Sequence, residues 1–177
     1  LSANQLTGTI PTEIGSLVQL EWLGLDNNLL TGTIPQEIGN LNKLVFLSLA
    51  KNQLSGSIPE TIGNLIELKQ LYLPNNRFTG SIPTSIENMH KLEKMTLSLN
   101  QFDGPLPEGL SKVNTLTLFN FDNTKLCEPK TDEFQAWLNS IRERGSLSST
   151  DVKCKTRLSL VKSVTPALAS LDDVMKG

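Results

Sequence analysis

The sequence predicts an α/β repeat protein, a solenoid of short coils that each add a strand to a parallel sheet. Three observations lead there. The 177 residues are rich in Leu and Asn while only 5% are aromatic, a bias that marks a repeated small unit rather than a mixed globular core. The sequence matches itself when displaced by 24 residues, and five turns pass without an insertion or deletion. Helical spacing of apolar residues appears near the C terminus, after that register has stopped.

The columns of the register define each element. Leu1, Leu25, Leu49, Leu73, Leu97 and Phe121 align. Asn4, Asn28, Asn52, Asn76 and Asn100 follow, then Gly8, Gly32, Gly56, Gly80 and Gly104. Ile-Pro pairs begin at Ile10, Ile34, Ile58 and Ile82, with Leu106-Pro107 in the fifth coil. In Leu23-Gly24-Leu25 the two leucines sit at i and i+2, on one face of a short strand, and Leu47/Leu49, Leu71/Leu73, Met95/Leu97 and Phe119/Phe121 repeat the pattern. Stacked at about 4.8 Å, these strands form a parallel sheet. No coil buries its leucines alone, so neighbours bury them for each other, at about 1.5–3 kcal/mol per side chain.

The stretch from Leu6 to Ile10 alternates again, with Leu6 and Ile10 inward and Thr7 and Thr9 outward, and Pro11 ends it because proline cannot donate to a ladder. Ile14 to Leu20 reads as a short helical or 3₁₀ turn. Glu87 and Ser111 stand where the other coils have Gly after the Ile or Leu, which predicts weaker turn chemistry in the fourth and fifth coils.

The unit L-x-x-L-x-L-x-x-N-x-L-x-G-x-I-P-x-x-I-G-x-L-x-x resembles the 24-residue plant-type leucine-rich repeat, over roughly residues 1–126. The resemblance is to receptor-kinase ectodomains and polygalacturonase-inhibitor-like proteins. It implies a right-handed leucine-rich-repeat solenoid with a parallel concave β-sheet, short second β-strands beside it, a 3₁₀ or helical convex side and a helical C-terminal cap. It also makes Asn4, Asn28, Asn52, Asn76 and Asn100 the structural asparagines. Physically, a buried amide donates and accepts toward the backbone groups left without partners where the chain turns. Thr124 takes this place in the last coil and cannot match both donors of an amide, so the ladder is expected to end there.

After Leu126 the pattern stops at Cys127-Glu128-Pro129. Thr131-Asp132-Glu133 supplies a capping residue and early negative charge, and Phe134, Trp137, Leu138 and Ile141 fall at i, i+3, i+4 and i+7. Arg142, Arg144 and Gly145 suit a C-terminal end, so a helix is expected over 132–144. The resulting organisation is a solenoid over 1–126 of about five repeats with no N-terminal cap, a cap over 127–154, and a partly helical tail over 155–177. The tail, with Thr165-Pro166 and then Leu168, Leu171 and Val174, packs on the cap or flank, or contacts another chain. Leu1 lies inside a repeat, and both ends read as cut from a longer protein.

The cap resembles the cysteine-bearing caps of extracellular leucine-rich-repeat proteins. This implies a Cys127–Cys154 disulfide and a secreted, extracellular or oxidising luminal location; free thiols or pairing to another chain are the alternatives. No Asn-x-Ser/Thr sequon occurs, which argues against a heavily glycosylated plant surface receptor.

Function follows from what is absent and what is exposed. A formal charge of −2 argues against a nucleic-acid partner held through its phosphates. No apolar run reaches the roughly 18 residues of a transmembrane segment. One His and two Cys exclude a His-rich metal centre, and His90 occupies a variable outward position shared with Val18, Asn42 and Ile66. No nucleophile–base set, phosphate-binding loop or calcium-ligand spacing is present, so no cofactor and no catalytic role are expected.

Trp22, Asp26, Phe46, Lys69, Tyr72 and Lys94 project from the strands on the concave face. Exposed aromatics there are typical of binding hot spots. The reading is a non-catalytic module for a protein or peptide ligand, as a co-receptor-like component or a subunit of a larger complex. A different class is an ice-binding solenoid that uses the outward pairs Thr7/Thr9, Thr31/Thr33, Ser55/Ser57 and Thr79/Ser81, an array that Asp103 and Pro105 interrupt.

Overall fold

A computed structural model describes residues 1–141 and 143–144. Cys154 and the 155–177 tail lie outside the described residues. In chain order the strands are β1 (Trp22–Gly24), β2 (Phe46–Ser48), β3 (Ser55–Gly56), β4 (Gln70–Tyr72), β5 (Arg77–Gly80), β6 (Lys94–Thr96), β7 (Gln101–Pro105), β8 (Leu118–Asn120), β9 (Lys125–Cys127) and β10 (Glu143–Arg144). They form two parallel sheets, one ordered β1-β2-β4-β6-β8-β10 and one ordered β3-β5-β7-β9, to which a Thr9–Thr31 bridge adds. In the larger sheet each residue faces its equivalent one repeat away, so Trp22 pairs with Phe46, Phe46 with Gln70, Gln70 with Lys94 and Lys94 with Leu118.

Five 3₁₀ turns, Thr12–Ser16, Gln36–Asn40, Glu60–Asn64, Thr84–Asn88 and Glu108–Lys112, each follow a proline held in the extended region. Their stacking makes the convex side. One apolar core runs along the solenoid: Leu47, Leu49, Leu71, Leu73, Met95 and Leu97 are fully buried between the sheets and the turns. Phe78 and Phe102 stack at 5.8 Å under the second sheet. In the first coil Leu6 is 37% exposed where its equivalent Leu30 is 5% exposed, because none of the described residues packs on its outer side as the first coil packs on Leu30.

The asparagine column forms a ladder between coils. Asn52 donates from Nδ2 to the carbonyl of Leu49 in its own coil at 3.1 Å and to that of Leu25 in the previous coil at 2.9 Å. Its Oδ1 accepts from the Leu30 N–H at 3.0 Å. Asn28, Asn76 and Asn100 repeat this set one coil at a time. Each of the Leu25, Leu49 and Leu73 carbonyls thereby receives two amides, one from its own coil and one from the next. Asn4 is exposed and donates to the Leu1 and Ser2 carbonyls. Thr124 donates to the Phe121 carbonyl at 2.6 Å and accepts from the Leu126 N–H at 3.4 Å, both within its own coil.

The residue before each ladder position is left-handed: Ala3, Asn27, Lys51, Asn75, Leu99 and Asn123 have φ between 52° and 58°. Asn tolerates this conformation because its short side chain bonds locally, whereas Leu there carries its Cβ against the following carbonyl. Leu99 is moreover 52% exposed and packs little. Leu99→Asn is therefore expected to raise the unfolding free energy by about 1 kcal/mol, read from the urea midpoint at unchanged slope.

The cap differs from expectation at its end. The helix, α1, spans Asp132–Ser140 rather than 132–144. Thr131 caps it by accepting from the Phe134 N–H, and Phe134, Trp137 and Leu138 cover the last coil, with Trp137 packed 6.3 Å from Phe119. Trp137 Nε1–H donates to the Val113 carbonyl at 3.4 Å. At Ile141 the backbone turns extended, and Glu143–Arg144 pair with β8 instead of adding a helical turn. The reason is the open edge of the large sheet: strand β8 presents N–H and C=O groups that a further strand satisfies and a helix does not. Cys127 is buried and is not a free thiol.

Candidate functional site

The concave face is a grid whose rows run across the strands. One row reads Trp22, Phe46, Gln70, Lys94 and Leu118, and the next reads Gly24, Ser48, Tyr72, Thr96 and Asn120. The alternation of a strand sends these side chains outward while Leu23, Leu47, Leu71, Met95 and Phe119 point into the core.

The structure brings the three candidate aromatics together. Trp22 and Phe46 stack with ring centroids 5.1 Å apart and planes 21° apart. Phe46 and Tyr72 meet at 5.7 Å and 53°. The contact from Phe46 to Tyr72 is diagonal, because Tyr72 lies in the neighbouring row and leans toward its own strand partner Gln70, donating from its hydroxyl to Oε1 at 3.1 Å. Phe46 and Tyr72 are half-buried by these contacts, whereas Trp22 ends the stack and is 63% exposed. Such pairs gain about 0.5–1.5 kcal/mol beyond burial, so the track holds its own geometry before any partner arrives.

The charged candidates are spread more widely. Asp26 is on the strand exit of the coil that carries Trp22, and its Oδ1 accepts from the Ser2 hydroxyl at 2.6 Å. Lys69 pairs with Glu93 of the next coil at 3.7 Å, so part of its charge is already answered. Lys94 is half-buried in the aromatic row, three strands from Trp22, and no carboxylate among the described residues lies within ion-pair distance of it.

Small residues lie between the large ones on this face. Gly24 and Ser48 are adjacent in register, with Ala50 beyond them. A Cβ at Gly24 would come within 2.8 Å of the Ser2 hydroxyl. Ser48 is 4% exposed, covered by its neighbours, and Tyr72 stands next in its row. Further along, Thr96 Oγ1 and Asp122 Oδ1 are buried and, among the described residues, have no hydrogen-bond partner.

On the second sheet the hydroxyl pairs are also outward. Thr7, Thr9, Thr31, Thr33, Ser57, Thr79 and Ser81 are exposed and Ser55 is half-buried. Thr31 Oγ1 donates to the Gly8 carbonyl at 3.2 Å and Ser55 Oγ to the Gly32 carbonyl at 3.3 Å, which ties two of the hydroxyls to the backbone.

Known proteins share this architecture. Residues 2–174 match the family model of a leucine-rich repeat region. No curated protein matches at a significant level. Among solved structures the chain is similar to a plant peptide hormone receptor, RGFR1, in complex with RGF2, at 36% identity and a TM-score of 0.69 over 71% of this chain and 20% of that one. It is also similar to the Arabidopsis receptor kinase HAESA, solved with the peptide hormone IDA and the co-receptor SERK1, at 31% identity and a TM-score of 0.72 over 80% of this chain and 24% of that one. A plant ice-binding protein matches at 33% identity and a TM-score of 0.67, over 71% of this chain and 41% of that one. The chain thus spans less than half the length of each of these three proteins.

Proposed function

Because the chain belongs to the leucine-rich repeat family, with the 24-residue plant-type unit, we propose that it is a non-catalytic interaction module whose concave face binds a protein or peptide. One observation carries the reading: Trp22, Phe46 and Tyr72 form a continuous aromatic stack on the outward side of the large sheet, with Trp22 63% exposed. Exposing this much aromatic surface to water is costly unless a partner covers it. One similar protein is a peptide hormone receptor solved with RGF2 and another was solved with the peptide hormone IDA, which supports the same class of ligand here. The module acts as a co-receptor-like component or as a subunit of a larger assembly, outside the cell or in an oxidising lumen. No helix among the described residues is long and apolar enough to cross a membrane.

The immobilised chain is expected to retain a protein or peptide that a chain carrying Trp22→Ala, Phe46→Ala and Tyr72→Ala retains at least about tenfold more weakly, since truncated hot spots cost 2 kcal/mol or more. Equal retention by both chains would show that another face binds. Cys127 pairs with Cys154 in this reading, closing a loop of about 27 residues and stabilising the cap by about 3–4 kcal/mol in the chain-entropy model. A digest without reductant is expected to yield the two cysteine-bearing peptides joined.

The exposed Thr/Ser pairs of the second sheet, together with the ice-binding relative, favour one second reading, in which this sheet binds ice. Thermal hysteresis and ice shaping by the purified chain separate the two, because the concave-face reading predicts neither.

A further inference from the structure

We propose that the segment bound by the concave face carries a basic side chain seated against Trp22 and Asp26 and, about four residues away, an acidic side chain that meets Lys94; this rests on the concave-face reading. The charge along the aromatic row is not uniform. Glu21 and Asp26 flank Trp22, and neither carboxylate is in an ion pair among the described residues; the rim cation Lys51 reaches neither. The stack on Phe46 covers one side of the indole and leaves Trp22 largely exposed at the end of the row.

A guanidinium or ammonium placed there meets an aromatic face and a carboxylate together, with the Ser2 hydroxyl holding Asp26 Oδ1 beside Gly24. Three strands further on, Lys94 is a cation of the same row with no carboxylate partner among the described residues, whereas Lys69 already pairs with Glu93. Tyr72 and Gln70 between them are uncharged. Three strand spacings of about 4.8 Å separate the two ends by about 14 Å, and an extended peptide covers that distance in about four residues at about 3.3 Å each. Complementary charge of this kind orients a ligand more than it tightens binding, so the face selects a dipolar segment and a register for it.

The test pans a displayed library of random peptides of about twelve residues against the full chain, with Trp22→Ala as counter-selection. Selected peptides are expected to carry Arg or Lys and Asp or Glu about four residues apart. Changing the basic residue of such a peptide to Gln is expected to weaken binding about tenfold to the native chain and less than about twofold to Asp26→Asn. Changing the acidic residue to Gln is expected to show the same contrast between the native chain and Lys94→Gln. Both substitutions are isosteric or nearly so at accessible positions, and equal melting temperatures confirm folding. Peptides that depend on Trp22 but show no coupling to Asp26 or Lys94 would overturn the charge assignment and leave the concave-face reading standing. Absence of any Trp22-dependent peptide would overturn both.

Discussion

Replacing Asn76 by Ala is expected to lower the unfolding free energy by about 3 kcal/mol, a large fraction of the stability of a domain this size. Asn76 is 9% exposed, and its side chain bonds four backbone groups, at Leu49, Leu54, Leu73 and Pro74. The Leu54 N–H donates to its Oδ1 at 3.0 Å, and its Nδ2 donates to the Leu49 carbonyl at 2.9 Å and the Leu73 carbonyl at 3.2 Å. Alanine leaves the buried Leu54 N–H with no acceptor and takes one amide from each carbonyl. The carbonyls suffer less, because Asn52 and Asn100 still reach them. The orphaned donor dominates the cost, so Asn76→Asp, which keeps an acceptor but sets a carboxylate against two carbonyls, is expected to be no better than Ala. Asn4→Ala is the control: Asn4 is exposed and bonds only within its coil, and a change within about 0.5 kcal/mol is expected in the same urea titration. Equal losses at the two positions would mean that the ladder is not what holds the coils together.

Gly39→Ala is expected to cost about 3 kcal/mol by a different route. The 3₁₀ turns stack so closely that a Cβ at Gly39 would lie 2.5 Å from the Thr61 carbonyl oxygen and 2.6 Å from Thr61 Cβ. Those are backbone and near-backbone atoms of the next coil, so relief requires the coils to spread. Gly63 faces Ser85 in the same way. The fourth coil reverses the arrangement. Glu87 stands in the glycine column, and the residue it faces, Gly109, is the one that lacks a side chain.

Thr84–Asn88 keeps the 3₁₀ geometry of the other turns, and the Glu87 carboxylate bonds Lys112 at 2.8 Å, which raises the Lys112 pKa above the ordinary lysine value. Gly109→Ser places its Cβ against the Glu87 carboxylate and is expected to cost about 1 kcal/mol, less than Gly39→Ala because that carboxylate can swing away. Adding Glu87→Gly is expected to restore the loss. A double variant no more stable than Gly109→Ser alone would show that the two positions are independent.

The legible parts of this protein were those written in columns. Leu23, Leu47 and Leu71 could be placed in the core, and Trp22, Phe46 and Tyr72 outside it, because strand alternation repeats every 24 residues and each coil says the same thing again. Features decided by one residue meeting another in a different coil left no such trace. The aromatics were placeable on the outward face, but the stacking of Trp22 on Phe46 and the lean of Tyr72 toward Gln70 depend on rotamers that periodicity does not encode. The helix ends earlier than its local sequence predicts for a related reason. Arg142, Arg144 and Gly145 read locally as a helix terminus, and only the open edge of β8 makes an extended Glu143–Arg144 the better solution.

The sequence by itself determined the repeat, the inward and outward faces of every strand, the asparagine column and the α/β solenoid class, because a 24-residue period over five coils admits one way of burying its leucines together. The tertiary structure decided which small residues are obligatory, which cation on the concave face is already paired, and where the cap changes from helix to strand. Those outcomes turn on distances between coils, and a contact across a repeat has no local signature in either of the residues that make it.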